Sequence, residues 1–197
     1  MKRIANIKRT TRETDIAIAL NLDGQGRARV DTTIGFFDHM LETLGKHGAF
    51  DLRIRARGDR RVDQHHLVED VGIALGQAFD RALGRRRGIN RAGYFIQPMD
   101  ETLAVVAVDI AGRPHLNFDA RFRRRFCGEL DTDLLEDFFG GLANHLKANI
   151  AVKIMAGRSD HHKIEAIFKA LARALRSACG RDRRMLKDLP SVKGLLS

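Results

Sequence analysis

The sequence has no tryptophan, one tyrosine, three prolines and two cysteines in 197 residues. Each scarcity removes a class of explanation. Two thiols, Cys127 and Cys179, are too few for a disulfide framework or a cysteine-based zinc site. With aromatics nearly confined to phenylalanine, there is little to stack nucleotide bases on, and no recognised nucleic-acid motif is present. No run approaches the ~18 consecutive apolar residues of a membrane span, and the N-terminus has charges without an apolar signal region. The expectation is a soluble, cytoplasmic protein that binds neither membrane nor nucleic acid.

Basic residues, by contrast, are in excess: 35 lysines and arginines against 25 acidic residues give a net charge of +10. Runs such as Arg85-Arg86-Arg87 and Arg123-Arg124-Arg125 are ordinarily solvated faces. Attraction for a small phosphorylated anion is the most economical use of the surplus.

The chain is organised around a stretch used twice: Asp63-Gln64-His65-His66-Leu67-Val68-Glu69-Asp70 returns as Asp160-His161-His162-Lys163-Ile164-Glu165. On a helix, positions i and i+4 share a face, so His65 joins Glu69 around one cation and His161 joins Glu165. Adjacent positions diverge by about 100°, so the two histidines of a pair serve different ions or different subunits. One His-His pair is ordinarily solvated. Two copies with the same glutamate spacing, each followed by an apolar helical run, read as metal ligands. His39 and its repeat counterpart Asp137 add two more donors. Imidazoles with a minority of carboxylates suit Mn, Fe, Co or Zn better than Mg or Ca. Lys169 continues the stripe of His161 and Glu165, aiming an ammonium at the same cavity, whereas its counterpart in the first repeat is Ile73. That polarity suits a substrate with one phosphate.

Around these motifs the patterning is duplicated. Ile16, Ile18, Leu20 and Leu22 alternate as a strand face, and Asp23-Gly24-Gln25-Gly26 predicts a hairpin turn. Helical spacing over 36–47, strand alternation over 50–57 and a helix from His65 stopping at Gly84 complete a βββαβα half. The second half repeats it, with helices over 134–146 and 161–178 and a strand over 150–155. The boundaries are residues 1–88, 89–180 and a basic tail over 181–197, the halves forming one intimate unit. Each half is predicted to be a two-layer α/β (α+β) structure, helices covering one face of a mainly antiparallel sheet.

These residues resemble a known family, imidazoleglycerol-phosphate dehydratase of histidine biosynthesis. The resemblance covers nearly the whole chain and rests on Phe37-Asp38-His39-Met40-Leu41, both His-His motifs, Gly88-Ile89-Asn90-Arg91, Gly112-Arg113-Pro114 and Pro190-Ser191-Val192-Lys193-Gly194. It implies a duplicated fold like the second domain of ribosomal protein S5, assembled as a shell of twenty-four subunits with di-manganese sites between them. It implies His39, His65, His66, Glu69, His161, His162 and Glu165 as ligands, with Asp137 where many members have histidine. Glu13 matches an acid/base residue at the substrate diol, His47 a substrate contact, and Arg91, Arg113, Lys169, Ser191 and Lys193 phosphate contacts. The expected reaction is dehydration of imidazole glycerol phosphate to imidazole acetol phosphate. If both ring nitrogens bind metal, the ring becomes an imidazolate that expels the neighbouring hydroxyl through a diazafulvene-like intermediate. With no additional phosphatase domain in view, the single-activity form is expected.

Overall fold

The computed structural model describes residues 2–59 and 61–196. The first half runs β1 (Ile4–Thr10), β2 (Thr14–Asn21), β3 (Ala28–Asp31), α1 (Gly35–Gly48), β4 (Asp51–Gly58) and α2 (His65–Leu83). The second runs β5 (Ala92–Met99), β6 (Thr102–Asp109), β7 (His115–Asp119), β8 (Phe126–Cys127), β9 (Leu130–Asp131), α3 (Leu134–Leu146), β10 (Asn149–Ala156) and α4 (Asp160–Cys179). The predicted element order holds, with a short β8–β9 hairpin added between β7 and α3.

The two four-stranded sheets have equivalent orders, β1-β2-β4-β3 and β5-β6-β10-β7. Two pairings in each are antiparallel, while β3 with β4 and β7 with β10 are parallel. The stretch at residues 23–26 is therefore not the predicted hairpin turn. It carries the chain from β2 past its neighbour, so that β3 pairs with β4 instead. Asp51 holds this connection by accepting the N–H groups of Gln25 and Arg27, and a Cβ on Gly24 would collide with the Asp51 backbone. The true hairpins join β1 to β2 and β5 to β6.

Strand alternation sends Ile16, Ile18 and Leu20 of β2, and Ala104, Val106 and Val108 of β6, into one continuous core shared by both halves. Helices α1 and α2 cover the first sheet, α3 and α4 the second, and the halves meet helix to helix, α2 on α3 and α1 on α4. Phe37, Phe138, Phe139 and Phe168 are fully buried where they meet, each ring contributing roughly 1.5–3 kcal/mol by leaving water. Buried Asp70 locks the start of α2 onto its sheet, accepting from Arg9 at 2.7 Å and Thr14 at 2.5 Å. The tail folds back on the loop before β5, with Gly88 N–H bonding the Asp188 carbonyl and Ile89 bridging Arg181. Among the described residues no helix is long and apolar enough to cross a membrane.

The α2–α3 contact has no room for side chains along its centre. A Cβ on Gly72 would strike the Phe138 carbonyl, one on Gly76 would come within 2.7 Å of the Leu142 carbonyl, and one on Gly141 within 2.9 Å of the Ile73 nitrogen. Gly72→Ala is accordingly expected to cost about 1–3 kcal/mol through overpacking. Gly35→Ala, where nothing lies within 4 Å, should leave stability unchanged or raise it slightly. Urea denaturation of the two variants measures the difference.

Candidate active site

The site grows out of two helix starts. Ser159 caps α4 by accepting the His162 N–H, and Asp63 accepts the His65 N–H where α2 begins. Each His-His pair therefore lies in a first turn, clear of the core. Within each pair the ring centres are 6.0 Å apart and the planes nearly perpendicular, at 80° and 87°. The two imidazoles of a pair meet different neighbours.

Because α1 packs on α4 and α2 on α3, the additional donor of each group comes from the opposite half. His39 of α1 stands with His161 and Glu165 of α4: its Nε2 is 3.9 Å from Glu165 Oε2, and His161 Nε2 is 3.2 Å from the same oxygen. The three ligand atoms lie within 4.8 Å of one another, so small adjustments bring them to the ~2.1 Å distances of a transition-metal ion. Two imidazoles and a carboxylate fit such an ion. Asp137 of α3 stands with His65 and Glu69 of α2, but differently. His65 turns Nδ1 to Asp137 at 3.4 Å and Nε2 to Glu69 at 3.6 Å. The carboxylates address opposite nitrogens of one ring, so convergence on one ion requires the His65 ring to rotate.

The second histidine of each pair faces the strand turns. His66 Nδ1 is 3.1 Å from Asp59 and its Nε2 is 3.8 Å from Glu13. His162 Nδ1 is 2.8 Å from Glu101 and its Nε2 is 3.7 Å from Asp100. Hydrogen bonding to Asp59 raises the pKa of His66, and bonding to Glu101 raises that of His162. In return, His162 and the Ser159 N–H hold Glu101 down to about 2. Asp59, Asp100 and Glu101 escaped the sequence reading. Glu101 could have been found, since it occupies in the second repeat the position of Glu13 in the first; Asp59 has no acidic counterpart there.

Lys169 lies on the predicted stripe, 2.8 Å from Glu165 Oε1. Burial favours the neutral acid at Glu165, but the Lys169 hydrogen bond and charge outweigh it and leave the carboxyl below its ordinary value. Further along the same helix pair, Arg173 reaches His47 at 3.5 Å and covers the Phe95 ring. Burial, then the charges of Arg173 and Lys169, lower the pKa of His47. Arg91, Arg113, Ser191 and Lys193 line a separate cavity of about 280 Å³. The Arg91 guanidinium clamps Asp109 and donates to the Pro190 carbonyl at 2.9 Å, fixing the tail over that cavity. Lys169 does not line it, so the five expected anion contacts fall into two groups within one chain.

Comparison with known proteins identifies the family. A family model described as imidazoleglycerol-phosphate dehydratase matches residues 32–175. The dehydratase of Koribacter versatilis is 57% identical over 194 residues, covering 98% of this chain and 100% of that protein. The histidine biosynthesis bifunctional protein of Bacteroides fragilis is 52% identical over 99% of this chain and 51% of its own length. Among solved structures, the dehydratase of Staphylococcus aureus matches with a TM-score of 0.82 and 37% identity, covering 90% of this chain and 99% of that one. The Pyrococcus furiosus enzyme, in complex with (S)-C348, matches with a TM-score of 0.84 and 37% identity, covering 96% and 100%. The class is therefore that of dehydratases built on a duplicated two-layer α+β fold. The chain belongs to the imidazoleglycerol-phosphate dehydratase family.

The unequal third donors give a direct expectation. Asp137→Ala should weaken Mn²⁺ binding at one class of site by ~10-fold or more, the scale on which metal sites respond to lost partners, and leave the His39 group unaffected. Calorimetric titration of the full-length protein resolves the two classes; equal affinities before and after substitution would remove Asp137 from the ligand set.

Proposed function

We propose that this chain dehydrates imidazole glycerol phosphate to imidazole acetol phosphate in the cytoplasmic pathway of histidine biosynthesis, using Mn²⁺ ions held between copies of itself. The observation that carries the reading is the back-to-back arrangement of each His-His pair. His65 and His161 face one set of donors, while His66 turns to Asp59 and Glu13 and His162 to Glu101 and Asp100. A cation held by His39, His161 and Glu165 has a place for a further imidazole that no residue of that group fills, and the outward histidine of a neighbouring copy has the right chemistry. Repeated around a closed assembly, such as the twenty-four-subunit shell expected by resemblance, this sharing would complete every site.

The chain's own groups supply recognition and proton transfer. Arg113, Lys193, the Ser191 hydroxyl and the remaining N–H groups of Asp109-paired Arg91 line one cavity, suited to the substrate's phosphate. Lys169, tethered to Glu165, adds a charge at the ligand end and orients the polar tail of the substrate. His47, with its pKa lowered and Arg173 beside it, is neutral at physiological pH and can hydrogen-bond a hydroxyl. Glu13 stands on the β1–β2 turn, half exposed and 3.8 Å from His66 Nε2, where its carboxylate can take up a proton from the substrate's diol carbon and return one. When bound, divalent ions held by the two His-His-x-x-Glu groups with His39 and Asp137 would supply Lewis acidity to the substrate's imidazole.

An assay with imidazole glycerol phosphate after Mn²⁺ reconstitution, following ketone formation and phosphate release separately, tests the reaction. Ketone without phosphate is expected; phosphate without ketone would identify a phosphoesterase instead. Glu69→Gln and Glu165→Gln should each lower metal content and cut turnover by more than ~100-fold, beyond the usual cost of losing an outer-shell partner. Chelation should shrink the particle in light scattering, and a particle unchanged after complete metal removal would contradict shared sites.

A further inference from the structure

We infer that Asp59 and Glu101 are positioning residues for the two outward histidines, each holding an imidazole at Nδ1 so that Nε2 is the nitrogen offered to a cation. The inference rests on the reading of His66 and His162 as ligands for a site completed by another copy. It adds two residues that neither the repeated motif nor the family resemblance singled out.

The geometry is the same in both halves although the residues are not. His66 Nδ1 lies 3.1 Å and 3.2 Å from the two Asp59 oxygens, and His162 Nδ1 lies 2.8 Å from Glu101 Oε2. On the other side of each ring the nearest carboxylates, Glu13 and Asp100, are 3.8 Å and 3.7 Å from Nε2, beyond hydrogen-bond reach. One nitrogen of each ring is tied and the other is not. An imidazole that donates its Nδ1–H to a carboxylate is fixed in the tautomer with a lone pair on Nε2, and the carboxylate makes that lone pair more basic.

The holders are themselves held. Glu101 Oε1 accepts the N–H groups of Ser159 at 2.7 Å and Arg158 at 3.2 Å, leaving Oε2 for His162. The Asp59 backbone N–H bonds the Glu13 carbonyl at 3.0 Å, which ties the end of β4 to the β1–β2 turn. Glu13 and Glu101 occupy equivalent positions in the repeat, yet they face opposite nitrogens of their histidines. In the first half Asp59 takes the Nδ1 side, and the Glu13 carboxylate stands beside Nε2. In the second half no acid occupies the place of Asp59. Glu101 moves to the Nδ1 side, and Asp100, in the left-handed region at φ 47°, stands beside Nε2. The duplicated glutamates have divided into one available for proton transfer and one committed to orientation.

The test is calorimetric titration of Mn²⁺ into metal-free, full-length protein carrying Asp59→Ala, Asp59→Asn or Glu101→Ala, beside melting curves of the same metal-free samples. Asp59→Ala and Glu101→Ala should each weaken Mn²⁺ binding about 10- to 100-fold, and Asp59→Asn should recover part of the loss because its amide oxygen still accepts from Nδ1. The melting temperature of metal-free Asp59→Ala should match wild type, since among the described residues its carboxylate hydrogen-bonds only His66. Wild-type binding with unchanged affinity in both alanine variants overturns the inference alone. So does a lower metal-free melting temperature for Glu101→Ala with Mn²⁺ affinity intact, which would make Glu101 a loop brace. A wild-type chain that takes up no Mn²⁺ overturns the metal reading itself, and this inference with it.

Discussion

The close packing of helices from opposite halves is the constraint on which the rest of the structure depends. Neither half buries its helices against its own sheet alone; the remaining apolar faces are covered only when α2 meets α3 and α1 meets α4. Burial of Phe37, Phe138, Phe139 and Phe168 at their meeting outweighs the cost of bringing glycine-lined backbones into contact. The same packing decides which donors become neighbours. His39 stands with Glu165, and Asp137 with His65, because their helices run side by side in the same direction.

Electrostatics then distinguishes two groups that packing made equivalent. One has two imidazoles and a half-buried carboxylate already engaged by Lys169. The other has one imidazole between two carboxylates, and Ile73 at the position of the ammonium. A carboxylate shared between a lysine and a cation is bound less tightly by either than if it were free. On the proposed reading, the group with Lys169 would be the one whose cation affinity responds most to an incoming anion, since an anion that draws the ammonium away would leave the carboxylate for the metal.

Much of this was legible in the sequence because it is local. Period-3.6 spacing located all four helices, and α3 falls on the predicted residues 134–146. The i,i+4 step located His65 beside Glu69 and His161 beside Glu165. Long-range relations left weaker traces. Asp23-Gly24-Gln25-Gly26 has hairpin composition, yet its glycine is there because the Asp51 backbone passes against it, and composition does not tell a tight turn from a crossover. The β8–β9 hairpin is too short to show alternation, although Gln64 reaches across to bond the Glu129 carbonyl and the Asp131 N–H. The exchange of His39 and Asp137 between halves follows from helix packing, which repeat alignment alone does not reveal. Asp59 was invisible for a related reason: nothing in the second repeat marks its place.

Gly72 and Phe168 occupy equivalent positions in the two halves, and both are spent on Phe138. Against Gly72 lies the Phe138 carbonyl; against Phe168 lies the Phe138 ring, stacked at 5.5 Å with an interplanar angle of 25°. The volume missing on one side is replaced by main chain, and the volume added on the other is met by an aromatic face. The duplication is therefore unequal in the core, at positions 72 and 168, as well as at the surface. Two copies of either half joined end to end would carry two glycines or two phenylalanines at these equivalent positions, where this chain has one of each.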